Sequence, residues 1–199
     1  ELAGRVREAA QCPHANFVLQ KCITTMHHDD LHFIVQELAQ NPVHTAKNKT
    51  GCRVVQRLVE KCPPWQVAPI TEAILTAFAQ VAQSAYGNYV AQHLAEHGAE
   101  EQRHRAMHLV MLHAKVLAAD PFGSAVIHGA LTRGPPAAQA GLALLIAREP
   151  GLLFNLACAR HGAKSVLRIL DLLAGQDLEN ARAVLLAEAA SLRASRFGR

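Results

Sequence analysis

Three stretches of the chain each combine a polar residue, a planar side chain and a glutamine at fixed spacing. The planar residue directly follows the polar one, and the glutamine lies four residues after the polar one. These three trios are Asn16/Phe17/Gln20, Cys52/Arg53/Gln56 and Asn88/Tyr89/Gln92. Amides offer hydrogen-bond donors and acceptors side by side, while aromatic rings and guanidinium groups offer flat surfaces for stacking. Each trio therefore has the groups needed to contact the edge and the face of a nucleobase.

Helical geometry would place the members of a trio on one side of a helix. With Asn88 at zero and a turn of about 100° per residue, Tyr89 lies at about 100° and Gln92 at about 40°. Apolar neighbours such as Val90 and Leu94 fall on a separate arc, and the other two stretches divide in the same way. The pattern predicts helices that bury the apolar arc and expose the trio. Glycines at the start of such helices are expected to have a structural role in the backbone at the helix entry, and these are Gly51, Gly87, Gly123 and Gly162.

The trios belong to an internal repeat. Asn16, Cys52 and Asn88 are 36 residues apart, Ser124 follows after another 36, and Ala163 after 39. Apolar segments precede and follow each stretch, which predicts three short helices per repeat. Helices that cannot bury their own apolar faces stack on their neighbours, so we expect a solenoid. The expected repeats span about 1–38, 39–74, 75–110, 111–149 and 150–190, with a further repeat starting at the C-terminus.

The stretches GCRVVQRLVEKC and YGNYVAQHLAEHG closely resemble the RNA-facing helices of Pumilio (Puf) repeats, and the 36-residue period matches as well. The resemblance covers nearly the whole chain and is strongest in the first three repeats. It implies an all-α fold, a right-handed α-α superhelical solenoid (crescent) of about five three-helix repeats. Residues 1–199 would then form the C-terminal part of a Pumilio homology domain.

In this family each repeat reads one base of single-stranded RNA with two or three side chains. The resemblance implies that the trios read U, A and U, which the family's antiparallel polarity orders as 5′-UAU-3′. An Asn–Gln pair suits the O2, N3–H and O4 of uracil, whereas Gln56 beside the small Cys52 suits adenine. Phe17, Arg53 and Tyr89 would stack on the bases. The resemblance further implies recognition of mRNA 3′ untranslated regions for post-transcriptional repression in the cytoplasm, with repressor or deadenylation factors as partners.

The last two repeats depart from the family pattern. Where the family commonly has Ser, Asn and Glu to read guanine, the fourth repeat has Ser124, Ala125 and His128. The fifth repeat has no residue that could read a base edge at Ala163, Lys164 and Leu167. Ser124, His128 and Lys164 remain candidate RNA contacts, but we expect base selectivity to be lost there. Basic residues beside the intact trios, where phosphates could pass, are Lys21, Arg57 and His93.

Composition and motifs argue against several other functions. There is no GxSxG, Walker or HExxH motif and no paired-carboxylate arrangement, so we expect neither an enzyme nor a bound cofactor. The five cysteines include no CxxC pair, and His27 and His28 lie in a polar connector, so no metal site is expected. No stretch approaches the roughly 18–20 apolar residues of a membrane span. We expect a monomer, because a solenoid uses its faces for ligands and neighbouring layers.

Two alternatives remain beside sequence-selective RNA binding. A nucleolar Puf-like protein that binds structured nucleic acid through charge would be far more basic than the formal net charge of +4, and its trios would be scrambled. An armadillo-like helical scaffold that binds proteins is the third interpretation, and the degraded C-terminal repeats are compatible with it. The three intact trios favour base readout.

Overall fold

The computed structural model describes residues 2–198, and every regular element in that range is helical. The chain forms two compact units, Glu1–Ala106 and Met107–Arg199. The first contains α1 (Val6–Gln11), α2 (Ala15–Thr25), a 3₁₀ turn (His28–Leu31), α3 (His32–Leu38), α4 (Pro42–Lys47), α5 (Gly51–Lys61), α6 (Pro64–Thr76), α7 (Phe78–Ala82), α8 (Gly87–His97) and the start of α9 (Glu100–Leu112). The second continues with α10 (Ala114–Ala119), α11 (Gly123–Arg133), α12 (Pro136–Arg148), α13 (Leu152–Ala157), α14 (Gly162–Leu172), α15 (Gly175–Ala187) and α16 (Ala189–Ala194).

The helices follow one another in five triplets, which confirms the prediction of an all-α repeat fold. Two of the expected repeat bounds, after residues 74 and 110, fall inside α6 and α9. At these two junctions the third helix of one triplet runs almost directly into the first helix of the next, with only Ala77 or His113 between them. The 36-residue period predicts the spacing of the repeats but not the residue at which one repeat passes into the next. No helix of residues 2–198 is both long enough and apolar enough to cross a membrane.

In the first unit each trio lies on the second helix of its triplet. These trio helices, α2, α5 and α8, pack side by side, with α5 in contact with both of the others. The predicted apolar arc is buried, and Val54, Val55 and Leu58 of α5 are inaccessible to solvent. Val18 is the exception: it is 51% exposed, whereas its counterpart Val54 is fully buried. Among the trio helices α2 packs only on α5, so one flank of α2 has no trio helix against it.

The glycines at the start of the trio helices have the structural role predicted for them. A Cβ atom on Gly87 would lie 2.5 Å from the carbonyl oxygen of Val81, and one on Gly51 would lie 2.7 Å from that of Thr45. Both carbonyls belong to the preceding short helix, whose backbone therefore approaches the trio helix more closely than a side chain would allow.

Replacing Gly87 by Ala should lower the free energy of unfolding by about 1–3 kcal/mol, because the backbone around Val81 must move to accommodate the methyl group. The matched control is Gly141→Ala in α12, where the added Cβ would lie 3.6 Å from Met111 Cε, an ordinary contact. That substitution should be neutral or slightly stabilising, since Ala favours a helix interior over Gly. Thermal or denaturant unfolding measures both, and equal effects would contradict the close-approach explanation.

Candidate nucleic-acid interface

The first residue of each trio is buried, so the expectation of a fully exposed trio is wrong at this position. Asn16 is 2% exposed and Asn88 is 3% exposed. Nδ2 of Asn16 donates to the carbonyl oxygens of Cys12 and Pro13, at 2.8 and 2.9 Å. Nδ2 of Asn88 donates in the same way to the carbonyl oxygens just before α8, both at 3.0 Å. Each side chain folds back because these carbonyls lie within its reach at the helix start.

The asparagines also fix the orientation of the glutamines. Because Nδ2 of Asn16 donates to two carbonyls, its Oδ1 faces the next turn as an acceptor, and Gln20 Nε2 donates to it at 2.9 Å. Gln92 Nε2 donates to Asn88 Oδ1 in the same way, at 3.1 Å. With its nitrogen held in this direction, the half-exposed Gln20 has its carbonyl oxygen and its second N–H available for another partner. An acceptor beside a donor is the complement of the N3–H and O4 of uracil.

The middle trio is arranged differently. Cys52 is buried and its thiol lies 3.4 Å from the carbonyl oxygen of Lys49. Burial raises the pKa of this thiol, so it stays protonated at neutral pH. Gln56 Oε1 faces Arg53, whose Nη1 lies 3.5 Å away, and Gln56 Nε2 is buried without a hydrogen-bond partner among the described residues. A buried donor without a partner is uncommon in a folded protein, and adenine N1 would accept a hydrogen bond from it.

The planar side chains are accessible, as the sequence predicts. Phe17 is 67% exposed and Tyr89 is 47% exposed. The guanidinium carbon of Arg53 lies 5.4 Å from the centre of the Tyr89 ring, so the planar residues of α5 and α8 already contact each other. Two stacking contacts of about 3.5 Å each would require about 7 Å between the planes. A base can therefore enter between them only if Arg53 moves.

The candidate residues of the second unit do not form a comparable trio. Ser124 is fully buried and its hydroxyl donates to the carbonyl oxygen of Pro121 at 3.1 Å. His128 is half-buried, with Nδ1 3.4 Å from Ser165 Oγ, and burial is the main cause of its lowered pKa. Lys164 is exposed. The structure thus places a neutral imidazole at the position of the reading glutamine and a lysine at the position of the stacking residue.

Two of the three basic residues beside the trios are close to a carboxylate that the sequence reasoning missed. Arg57 Nη1 is ion-paired with Glu60 Oε2, and His93 Nε2 lies 3.0 Å from Glu60 Oε1. Lys21 is exposed. The repeat period itself held a signal for this carboxylate, because Glu60 and Glu96 are also 36 residues apart. The flank of α5 and α8 is therefore less cationic than the basic residues alone suggest.

Asn16→Ala should lower the free energy of unfolding by about 1–3 kcal/mol, because the carbonyls of Cys12 and Pro13 would lose a buried donor. Gln20→Ala is the matched control: this half-exposed side chain bonds to Asn16 but to neither carbonyl. Its effect on stability should stay within about 0.5 kcal/mol. Denaturant unfolding compares the two, and an Asn16 variant as stable as the Gln20 variant would show that the asparagine does not hold the helix start.

Known proteins resemble this chain in sequence and in fold. The sequence profile of the NOP9-like PUF repeat domain matches residues 2–108. A Pumilio domain-containing protein of Schizosaccharomyces pombe is 27% identical over 124 residues, which are 62% of this chain and 18% of that protein. Pumilio homolog 1 of Xenopus laevis is 33% identical over 105 residues, 53% of this chain and 9% of its own length.

Among solved structures, PUF-8 in complex with PBE-RNA superimposes with a TM-score of 0.82 at 25% identity. The superposition covers 99% of this chain and 59% of the PUF-8 chain. The chain described here thus spans less than a fifth of the two curated relatives and just under three fifths of that structure.

Proposed function

We propose that this chain, which belongs to the NOP9-like PUF repeat domain family, binds single-stranded RNA and reads three consecutive bases with the trios of α2, α5 and α8. The observation that carries the proposal is Gln56 Nε2, a buried donor without a partner among the described residues, between two trios whose glutamines are oriented by asparagines. The solved PUF-8 complex, of the same fold, contains RNA. We thus propose a binding protein rather than an enzyme.

The middle base is proposed to be adenine. Gln56 Nε2 would donate to adenine N1 and so gain the partner that it lacks. Gln56 Oε1 would accept from the exocyclic amine of adenine once the long contact with Arg53 Nη1 is released. The released guanidinium and the ring of Tyr89 would then stack on the two faces of a base. The same movement of Arg53 thus makes room for a base beside Tyr89 and releases Gln56 Oε1 to accept from that base.

The outer two bases are proposed to be uracils. In the first and third trios the asparagine oxygen holds the glutamine nitrogen, which sets the order of acceptor and donor that the base meets. Uracil N3–H and O4 match that order. The Watson–Crick edge of adenine presents the donor and the acceptor in the reverse order, so reading adenine would require the glutamine amide to turn away from the asparagine. The antiparallel polarity of the family gives 5′-UAU-3′, with the trio of α8 on the 5′ base.

The cellular part of the proposal rests on the resemblance of the trio helices to Pumilio repeats. We propose that the RNA is an mRNA 3′ untranslated region, bound in the cytoplasm by a monomer for post-transcriptional repression, with repressor or deadenylation factors as further partners. A second candidate function is binding of structured nucleic acid or protein without base readout. It is favoured by the second unit, where His128 stands at the position of the reading glutamine and an exposed Lys164 stands at the position of the stacking residue.

Fluorescence anisotropy with short RNAs tests the two candidates against each other. We expect micromolar or weaker binding to RNA that contains UAU, because three stacked bases must offset the ordering of a flexible strand. Binding should weaken as the salt concentration rises. Changing any one base of UAU should weaken it further, while changes to the two bases on the 5′ side should matter little. Equal affinity for UAU and for the same bases in the order UUA would support the second candidate.

A further inference from the structure

Glu60 of α5 and His93 and His97 of α8 form a cluster outside the trios. One ligand-type atom from each of the three side chains lies within 4.8 Å of the other two. His93 Nε2 is 3.0 Å from Glu60 Oε1, and the two imidazole rings are 4.4 Å apart between centres. Glu60 lies 33 residues before His93, and the packing of α5 on α8 brings the two side chains together.

We propose that Glu60, His93 and His97 bind a divalent transition-metal ion, with Zn²⁺ as the ion that fits best, and that the ion links α5 to α8. Two imidazoles and one carboxylate form a common zinc ligand set, with a fourth position left for water or another ligand. Two histidines four residues apart on one helix are also the spacing with which helices supply zinc ligands. The ligand atoms would need only small side-chain rotations to approach one ion.

The state of His93 supports a metal at this position. Its Nε2 is buried and has no hydrogen bond of acceptable geometry within the part of the chain that the structure describes, although a carboxylate oxygen lies 3.0 Å away. An imidazole nitrogen in such a position is available as a metal ligand.

The charges around the cluster also fit a bound cation. Arg57 pairs with Glu60 Oε2 and so opposes a second cation, but it leaves Oε1 facing His93. A carboxylate ligand whose other oxygen accepts a hydrogen bond is the usual arrangement around protein-bound metals. Glu96 Oε1 lies 3.6 Å from His97 Nε2 and adds a second negative charge that offsets Arg57.

A second group of possible ligands, His27, His28 and Asp29, serves as the comparison rather than as the proposed site. These three residues are consecutive in one connector, and His27 and Asp29 are exposed. Metal binding there would link no two helices. Among the cysteines, Cys62 follows directly after α5, but it is buried and its sulfur is not among the clustered ligand atoms.

Titration calorimetry of the reduced full chain with Zn²⁺ tests the proposal without RNA, so its outcome is independent of base reading. We expect one ion per chain and a loss of affinity of about tenfold or more in His97→Ala. That variant is suitable because the His97 side chain is 45% exposed and its loss should not unfold α8. The control H27A/H28A should bind like the wild type. Zn²⁺ should raise the melting temperature of the wild type and of the control, but not that of the His97 variant.

Co²⁺ in place of Zn²⁺ identifies the ligands. A tetrahedral site of nitrogen and oxygen should give visible absorption without the strong near-ultraviolet band of a cobalt–thiolate bond. The proposal would be overturned by the absence of a saturable site, by thiolate absorption, or by a zinc affinity that H27A/H28A abolishes and His97→Ala leaves intact. A variant His93→Gln, which keeps a polar side chain in the buried position, should lose the ion in the same way as His97→Ala.

Discussion

Replacing Asn88 by Ser and Gln92 by Glu together should change the base preferred at the 5′ position from uracil to guanine, so that the variant selects 5′-GAU-3′. The Glu carboxylate would accept from guanine N1–H and N2–H₂ and would repel the carbonyl oxygens of uracil. A hydrogen bond to a charged group contributes about 1.5–3 kcal/mol, so the preference should change by about tenfold to a hundredfold.

The structure explains why both substitutions are needed. Gln92 Nε2 donates to Asn88 Oδ1 at 3.1 Å, so Gln92→Glu alone would place a carboxylate oxygen against an amide oxygen. Asn88→Ser removes that oxygen, and a serine at this point of the helix has a partner of its own. Ser124, the equivalent residue of α11, donates to the carbonyl oxygen of Pro121 at 3.1 Å.

Anisotropy titrations with four RNAs that differ only at the 5′ base of the triplet measure the change. The single variant Gln92→Glu is the control and should bind every RNA more weakly, with less gain for guanine than the double variant. The preference at the 3′ base, read by the trio that contains Gln20, should be unchanged. If the affinity of the double variant fell by the same factor for all four RNAs, the α8 trio would be contacting the RNA backbone rather than the base.

The second large effect concerns stacking. Tyr89→Ala and Arg53→Ala should each weaken binding of UAU RNA by about fivefold to a hundredfold, because a stacked base contributes about 1–3 kcal/mol. The affinity of the double variant should fall by less than the product of the two single-variant factors, since the side chains contact each other and would hold the same base. Stability should change little, because both side chains are exposed.

A double-mutant cycle by anisotropy, with unfolding curves for each variant, separates binding from stability. Trp65→Ala is the matched control, because this residue of α6 is 66% exposed and lies outside the trio helices. Its loss should leave RNA affinity unchanged. A Tyr89 variant that binds RNA as well as the Trp65 variant would remove the stacking role.

Much of the fold could be predicted from the sequence because the repeat period and the helical arcs are properties of the chain itself. The three-helix triplets and the buried face of α5 follow from spacing and hydrophobicity alone. The repeat ends were less predictable, since α6 and α9 run almost directly into the next helix. The residues at which the repeats end depend on backbone contacts, which the repeat period does not predict.

The candidate site could be proposed from residue types, but its hydrogen bonds could not be predicted. Helical angles correctly grouped Asn16 with Gln20, but they could not show that the asparagine turns back to the carbonyls of Cys12 and Pro13. The angle gives the side of the helix, whereas burial depends on the turn that precedes it. Glu60 was missed for a similar reason, because its contact with His93 crosses from one repeat to the next.

Selection of RNA from a randomised pool tests the central claim, base reading by three successive trios, most directly. We predict that the wild-type chain enriches 5′-UAU-3′ with little preference at the two positions on its 5′ side. The N88S/Q92E variant, taken through the same rounds, should enrich 5′-GAU-3′. A pool with no enriched triplet, or the same triplet from both proteins, would contradict base reading by these side chains.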